Sequence, residues 1–105
     1  MTIEQLQQIF PGATAETWHQ HPNGGGWVEN TAQVAESARV AGNAWVAGKA
    51  QVAGDARVDG DAWVYGDARV YGNAWVSGDA WVYGNAQVDG DARVYGDARV
   101  YGDAQ

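Results

Sequence analysis

One apolar residue recurs along this chain with a fixed step. Val28, Val34, Val40, Val46, Val52, Val58, Val64, Val70, Val76, Val82, Val88, Val94 and Val100 fall on a single series of six, and no valine falls off it. Alanine stands two residues before each valine from Ala32 to Ala98, and glycine two residues after from Gly42 to Gly102. The unit reads [Asp/Asn]-Ala-x-Val-x-Gly. On an extended chain alternate residues share a side, so Ala and Val point one way and the residues flanking the valine point the other. The Gly-Asp or Gly-Asn step is a turn signal, because glycine tolerates positive φ and the Asx side chain bonds nearby backbone. The pattern therefore predicts strands of about four residues, each followed by a bend and a restart. One unit alone has too little apolar surface to fold, so successive coils must stack over a shared core. A disordered glycine-rich linker would not keep such a register.

The valine column with a small residue two positions ahead of it resembles the hexapeptide-repeat family. That resemblance implies an all-β solenoid: a left-handed parallel β-helix of triangular section, three hexapeptides to a coil, giving about 4.5 coils of 18 residues. The left hand is implied by the family alone, since general rules for parallel crossovers favour the right. The chain divides on this reading into an N-terminal helix and capping segment, 1–26, and the repeat β-helix, 27–105. The stretch Asn23-Gly24-Gly25-Gly26-Trp27-Val28 is also similar to small hexapeptide-repeat proteins of bacteria and phages with no assigned activity.

With 18-residue coils, residues 18 apart stack at the strand spacing of ~4.8 Å, and the outward columns follow directly. The residue before valine gives Trp27, Trp45, Trp63, Trp81 and Arg99 on the first face. It gives Gln33, Gln51, Arg69, Gln87 and Gln105 on the second, and Arg39, Arg57, Trp75 and Arg93 on the third. The residue after valine adds Glu29, Ala47, Tyr65, Tyr83 and Tyr101 beside the tryptophans. Stacked aromatics stabilise a parallel ladder by themselves. A flat Trp and Tyr strip of this size is also an interface candidate, because contiguous exposed apolar patches mark association sites and Trp and Tyr dominate hot spots. Trp27, Trp45, Trp63, Trp81, Tyr65, Tyr83 and Tyr101 are accordingly the candidate interaction face. It is expected to serve a homo-oligomer, a dimer or the trimer that the family commonly forms, or a protein partner; carbohydrate stacking is a lesser alternative.

Charge narrows the partners further. Six Lys plus Arg against thirteen Asp plus Glu leave a net charge of −7, which repels phosphate backbones and excludes direct nucleic-acid binding from the expectations. It leaves open basic partners and mimicry of nucleic acid. Asp61, Asp79 and Asp97 share a column below Asn43, and Asp55, Asn73 and Asp91 share another. Their spacing matches neither an EF-hand loop nor the nonapeptide calcium repeat, and turn chemistry accounts for Asx after Gly, so no metal site is assigned. Four Asp-Ala-Arg triplets, Asp55/Arg57, Asp67/Arg69, Asp91/Arg93 and Asp97/Arg99, set opposite charges on the same outward side.

Catalytic constellations find little support. Hexapeptide acyltransferases resembling this chain use a histidine base at a cleft between coils, and the related carbonic anhydrases bind metal with three histidines. Here the only histidines, His19 and His21, precede the repeat and read as surface residues, and no insertion interrupts the step of six from Val28 to Val100. A general base must reach the proton that it takes. The Gly24-Gly25-Gly26 run lacks the Lys-Ser/Thr of a phosphate loop. No catalytic residue, cofactor or metal is therefore expected.

The absence of cysteine removes disulfides, thiol nucleophiles and Cys-based zinc sites. No apolar run approaches the ~20 residues of a bilayer span, and Met1 to Phe10 lack a signal peptide's cationic start, so the expected address is the cytoplasm without membrane contact. Thr2 to Phe10 read as a short helix with Thr2 as N-cap and Pro11-Gly12 as its stop. Ile3, Leu6, Ile9 and Phe10 give it one apolar side, expected to lie with Trp18 over the first coil and close the core. Beyond Ala104-Gln105 the last coil is expected to present an open edge that docks another copy or a partner. The leading functional expectation is a non-catalytic, self-associating interaction scaffold. An acyltransferase working at a trimer cleft and an acidic inhibitor that mimics nucleic acid, as in phages, stand behind it.

Overall fold

Each unit bends at its glycine, and the bends are what make the coil. In the computed structural model, which describes residues 3–14 and 16–101, the glycines from Gly42 to Gly96 at every sixth position have positive φ between 60° and 72°. Between bends the x-Val pair forms the strand, and the ladder hydrogen bonds reach its flanks as well, from the Trp45 amide to the Ala62 carbonyl at 3.2 Å and from the Ala47 amide to the Val64 carbonyl at 2.8 Å. From Gln33 onward each strand is two residues long rather than four, because a turn every six residues leaves little chain to extend.

The chain opens with a helix, α1 (Ile3–Ile9), and a strand, β1 (Trp18–Gln20). The repeats then distribute over three sheets of a parallel β-solenoid. The first face holds β2 (Trp27–Glu29), β5 (Trp45–Val46), β8 (Trp63–Val64), β11 (Trp81–Val82) and β14 (Arg99–Val100). The second holds β3 (Gln33–Val34), β6 (Gln51–Val52), β9 (Arg69–Val70) and β12 (Gln87–Val88), and the third β4 (Arg39–Val40), β7 (Arg57–Val58), β10 (Trp75–Val76) and β13 (Arg93–Val94). Every parallel pairing sets residue n beside residue n+18: Trp45 beside Trp63, Gln51 beside Arg69, Arg57 beside Trp75. About four coils result.

The inside is the alanine and valine columns. Val40, Val46, Val58, Val64, Val70, Val76 and Val82 are wholly buried, as are the alanines that stand two residues before a valine from Ala38 to Ala86. Each fully buried valine contributes roughly 1.5–3 kcal/mol of hydrophobic stabilisation. The turns stack as well: the Asp61 amide donates to the Gly78 carbonyl at 2.8 Å and the Asp79 amide to the Gly96 carbonyl at 2.9 Å, so the corners form ladders of their own.

The N-terminal segment departs from expectation. α1 does not lie over the end of the first coil. It lies on the outside of the first face, where Leu6 is buried in a second apolar cluster with Ala13, Trp18, Trp27, Trp45 and Ala47. The two indoles offer far more apolar area than the end of a core built from Ala and Val, and large side chains such as Leu6 and Phe10 follow the area. The open end of the core is closed instead by residues 18–26. β1 pairs antiparallel with β2, the Gly26 amide donates to the Val40 carbonyl at 2.7 Å, and the Val40 amide donates to the Asn23 carbonyl at 3.1 Å. Gly26 is required here, since a Cβ would overlap the Val40 side chain.

His21 is also corrected: it is buried, not on the surface, and its Nε2 donates to the Ala38 carbonyl at 2.7 Å. His19 is exposed, with Nδ1 2.7 Å from Asn30 Oδ1. Thr2, and the terminal residues Ala104 and Gln105 on which the open-edge expectation rests, lie outside the described residues. Among the described residues no helix is long and apolar enough to cross a membrane.

Candidate functional site

The register that buries the valines also aligns the residues before them. Trp45, Trp63 and Trp81 stack with ring centroids 4.6 and 4.7 Å apart, the second pair within 6° of parallel. Beside them Tyr65, Tyr83 and Tyr101 stack at 5.1 and 5.3 Å, within 4° and 12° of parallel. The strand spacing fixes these distances, and offset stacking adds about 0.5–1.5 kcal/mol per pair. The ladder is thus a stabilising element of the fold in its own right.

Its two halves differ in environment. Trp27 and Trp45 are buried at 8% and 3% exposure, covered by α1. The Phe10 ring meets Trp45 edge-to-face and Trp18 at a tilt, centroids 4.7 and 4.9 Å away. The indole N–H of Trp45 is buried there without a hydrogen-bond partner. Trp63, Trp81, Tyr65 and Tyr83 are half-buried, and Tyr101 is exposed. So the seven residues of the expected face are brought into one strip, but only the lower five are available at the surface. The sequence pattern carried no signal for this, since nothing in the repeat says which face a preceding helix will cover.

Arg99 ends the indole column, its guanidinium 4.1 Å from the Trp81 ring centroid. Beside the exposed indoles runs a groove of about 500 Å³, with Gln5, Gln8 and Ile9 of α1 on one side and Asn43, Asp61 and Asp79 of the corner on the other. Asn43 Nδ2 donates to Asp61 Oδ1 at 3.1 Å, so an amide interrupts this column of like charges. Among the described residues no group of three or more His, Asp or Glu side chains is placed to hold a metal ion. His19 and His21 do not line this groove; their partners are Asn30 and the Ala38 carbonyl.

Two tyrosines are electrostatically marked. Burial, reinforced by the neighbouring Tyr83, raises the Tyr65 hydroxyl above its ordinary value, against a lowering effect of Arg99. Tyr71 is raised chiefly by donating its hydroxyl to Asp89 Oδ2 at 3.0 Å. Both hydroxyls are therefore neutral donors at physiological pH.

The third face was not singled out by sequence. There Trp75 lies between two arginines, with Arg57 and Arg93 at 5.5 and 5.8 Å from its ring centroid, and its indole N–H reaches the Asp59 carboxylate at 3.1 Å. The only available signal was the arrangement Arg-Trp-Arg in one column.

Residues 50–66, 62–78, 68–84 and 92–105 match the model of the family described as YdcK beta solenoid repeat. These stretches are similar to that repeat in agreement with the coil geometry above. No curated protein and no solved structure matches the chain.

Proposed function

We propose that this chain of β-solenoid repeats is a non-catalytic interaction scaffold, and that the uncovered half of its aromatic ladder, Trp63, Trp81, Tyr65, Tyr83 and Tyr101, docks an apolar helical element of another protein molecule. The observation that carries the reading is α1 itself. α1 with Leu6, and Phe10 just after it, covers Trp27 and Trp45 and packs in part against Trp63 and Tyr65, and the ladder runs on beyond them only half-buried. A helix of like chemistry supplied by a partner would bury the remainder by the same edge-to-face contacts.

Ladder geometry disfavours a sugar. Ring faces inside the indole column are occupied by neighbouring rings, and the last indole is covered by Arg99, so what the indoles turn outward is ring edges. A sugar stacks on an open aromatic face. Protein side chains accept edges readily, and Tyr and Trp dominate protein hot spots. In the same reading the coil is left-handed, as the hexapeptide resemblance implies.

Replacing both Trp63 and Trp81 with Ser tests the assignment. β-sheet circular dichroism is expected to persist, while native mass falls or capture of a partner is lost. Unchanged mass together with unchanged capture overturns the reading. The acyltransferase alternative predicts a thermal shift with millimolar acetyl-CoA, and the mimicry alternative predicts salt-sensitive binding to a basic DNA-handling protein that DNA competes away.

A further inference from the structure

The third face carries two parallel columns of opposite chemistry. The corner column reads Ser37, Asp55, Asn73, Asp91, and the column next to it reads Arg39, Arg57, Trp75, Arg93, both in the 18-residue register. Acid and base thus stand side by side at the second and fourth coils, with an amide beside an indole at the third. These charges do not neutralise one another within the chain. The Arg57 and Arg93 guanidiniums lie against the Trp75 ring, while Asp91 accepts from Asn73 Nδ2 at 3.2 Å. All four charged side chains are exposed. A groove of about 570 Å³ runs among Ser37, Arg39, Asp55, Arg57, Asn73 and Trp75.

We infer that this face is self-complementary and binds a second copy of the chain, related by a two-fold axis parallel to the solenoid axis and passing between the two columns. Such an axis keeps each coil level with its counterpart and exchanges the columns. The corner column of one copy then faces the arginine column of the other, with acid against base at the second and fourth coils. Asp55 meets the second copy's Arg57 and Asp91 its Arg93, each pair occurring twice, while Trp75 meets the second copy's Asn73. This is the isologous arrangement in which one surface serves both partners. Turning the second copy end over end instead would set Arg57 against Arg93, so charge selects the parallel arrangement. The net charge of −7 repels two copies at a distance, but at physiological ionic strength the Debye length is ~8 Å, and contacting pairs outlast the screened long-range term. The face is separate from the aromatic ladder, so the inference stands or falls apart from the reading above.

Two double variants of the full chain test it by native mass spectrometry in ~150 mM volatile salt. One combines Arg57→Glu with Arg93→Glu, the other Asp55→Lys with Asp91→Lys. The wild type is expected to be a dimer or a multiple of one. Each variant alone is expected to lose the two-fold contact, with a rise of at least about 100-fold in dimer Kd. An equimolar mixture is expected to restore the contact as a mixed species, resolvable by mass, because at the second and fourth coils one variant's columns are then acidic and the other's basic. The lysine variant carries less net negative charge than the wild type, so mere relief of repulsion would tighten its association, whereas face pairing predicts weakening. Circular dichroism reports whether each variant is folded, and if one is not, Arg57→Gln with Arg93→Gln is read for the same weakening. A monomeric wild type, an assembly unaffected by the variants, or a mixture that forms no mixed species overturns the inference. Loss of assembly only in the Trp63 and Trp81 variant overturns it while leaving the ladder reading intact.

Discussion

Phe10 meets Trp45 edge-to-face, ring planes 84° apart and centroids 4.7 Å apart. That contact fixes α1 to the outside of the first face and divides the aromatic column into a covered and an uncovered half.

Leu6 is the fully buried anchor of the same contact. Leu6→Ala removes the largest aliphatic group beneath α1, a change that costs about 2–5 kcal/mol at a core site. Because Leu6 belongs to the satellite cluster and not to the Val and Ala core, the loss falls on helix docking. Tryptophan emission is expected to shift to the red and protease to cut within 10–17, while the β-sheet melt stays nearly unchanged. Unshifted emission with intact protease resistance contradicts this packing.

Gly78 has φ of 66°, and a Cβ there would stand 2.9 Å from the Gly96 amide nitrogen of the next coil. Gly78→Ala adds left-handed strain to a clash with backbone that has no room to yield, and is expected to cost more than about 1 kcal/mol. Gly12 has open space around it and no positive φ, so Gly12→Ala serves as the neutral control. For a domain of this size the first variant is expected to lower Tm by at least about 4 °C. Equal melting of the two variants would remove the corner ladder from the account of stability.

His21→Ala leaves the buried Ala38 carbonyl without the imidazole donor at the end of the core. An orphaned buried acceptor costs about 1–3 kcal/mol. His19→Ala, at an exposed side chain, is expected to change stability little. Comparing the two urea midpoints checks the difference, and a larger effect at His19 would reverse the assignment.

Alkaline pH is expected to loosen the fold through Tyr71 and Tyr65. Both are raised above 10.0, the first chiefly by its hydrogen bond to Asp89 and the second chiefly by burial. The folded chain holds these protons more tightly than the unfolded chain. Their contribution is therefore complete below pH 10.0 and is lost as pH rises through the raised folded values. Tm is expected to fall more steeply above pH 10 in the wild type than in the Tyr65→Phe, Tyr71→Phe variant. Parallel curves would refute the linkage.

Much of the fold was legible because each unit repeats one demand. A period of six and a turn at glycine put Val46, Val64, Ala62 and Ala80 inside, and the 18-residue coil that the resemblance implied sets Val46 over Val64 and aligns the indole column in the same register. The strands are shorter than the four residues expected because the turns at glycine leave only the x-Val pair in full strand pairing, although the hydrogen bonds between coils reach the residues on either side of it. His21 was misread for a different reason: only Gln20 separates it from His19, and the closure of 18–26 onto Val40 and Ala38 sends one outward and the other inward.

By itself the sequence determined what the coil buries, since a strict Ala-x-Val-x-Gly period puts every small apolar group on one side, and the resemblance to hexapeptide repeats implied three such units to a coil. Tertiary structure alone decided which aromatics reach the surface. The apolar side of α1 had two competing seats, the end of an Ala and Val core or the flank of two indoles, and the choice between them depends on apolar area that exists only once the coils have stacked.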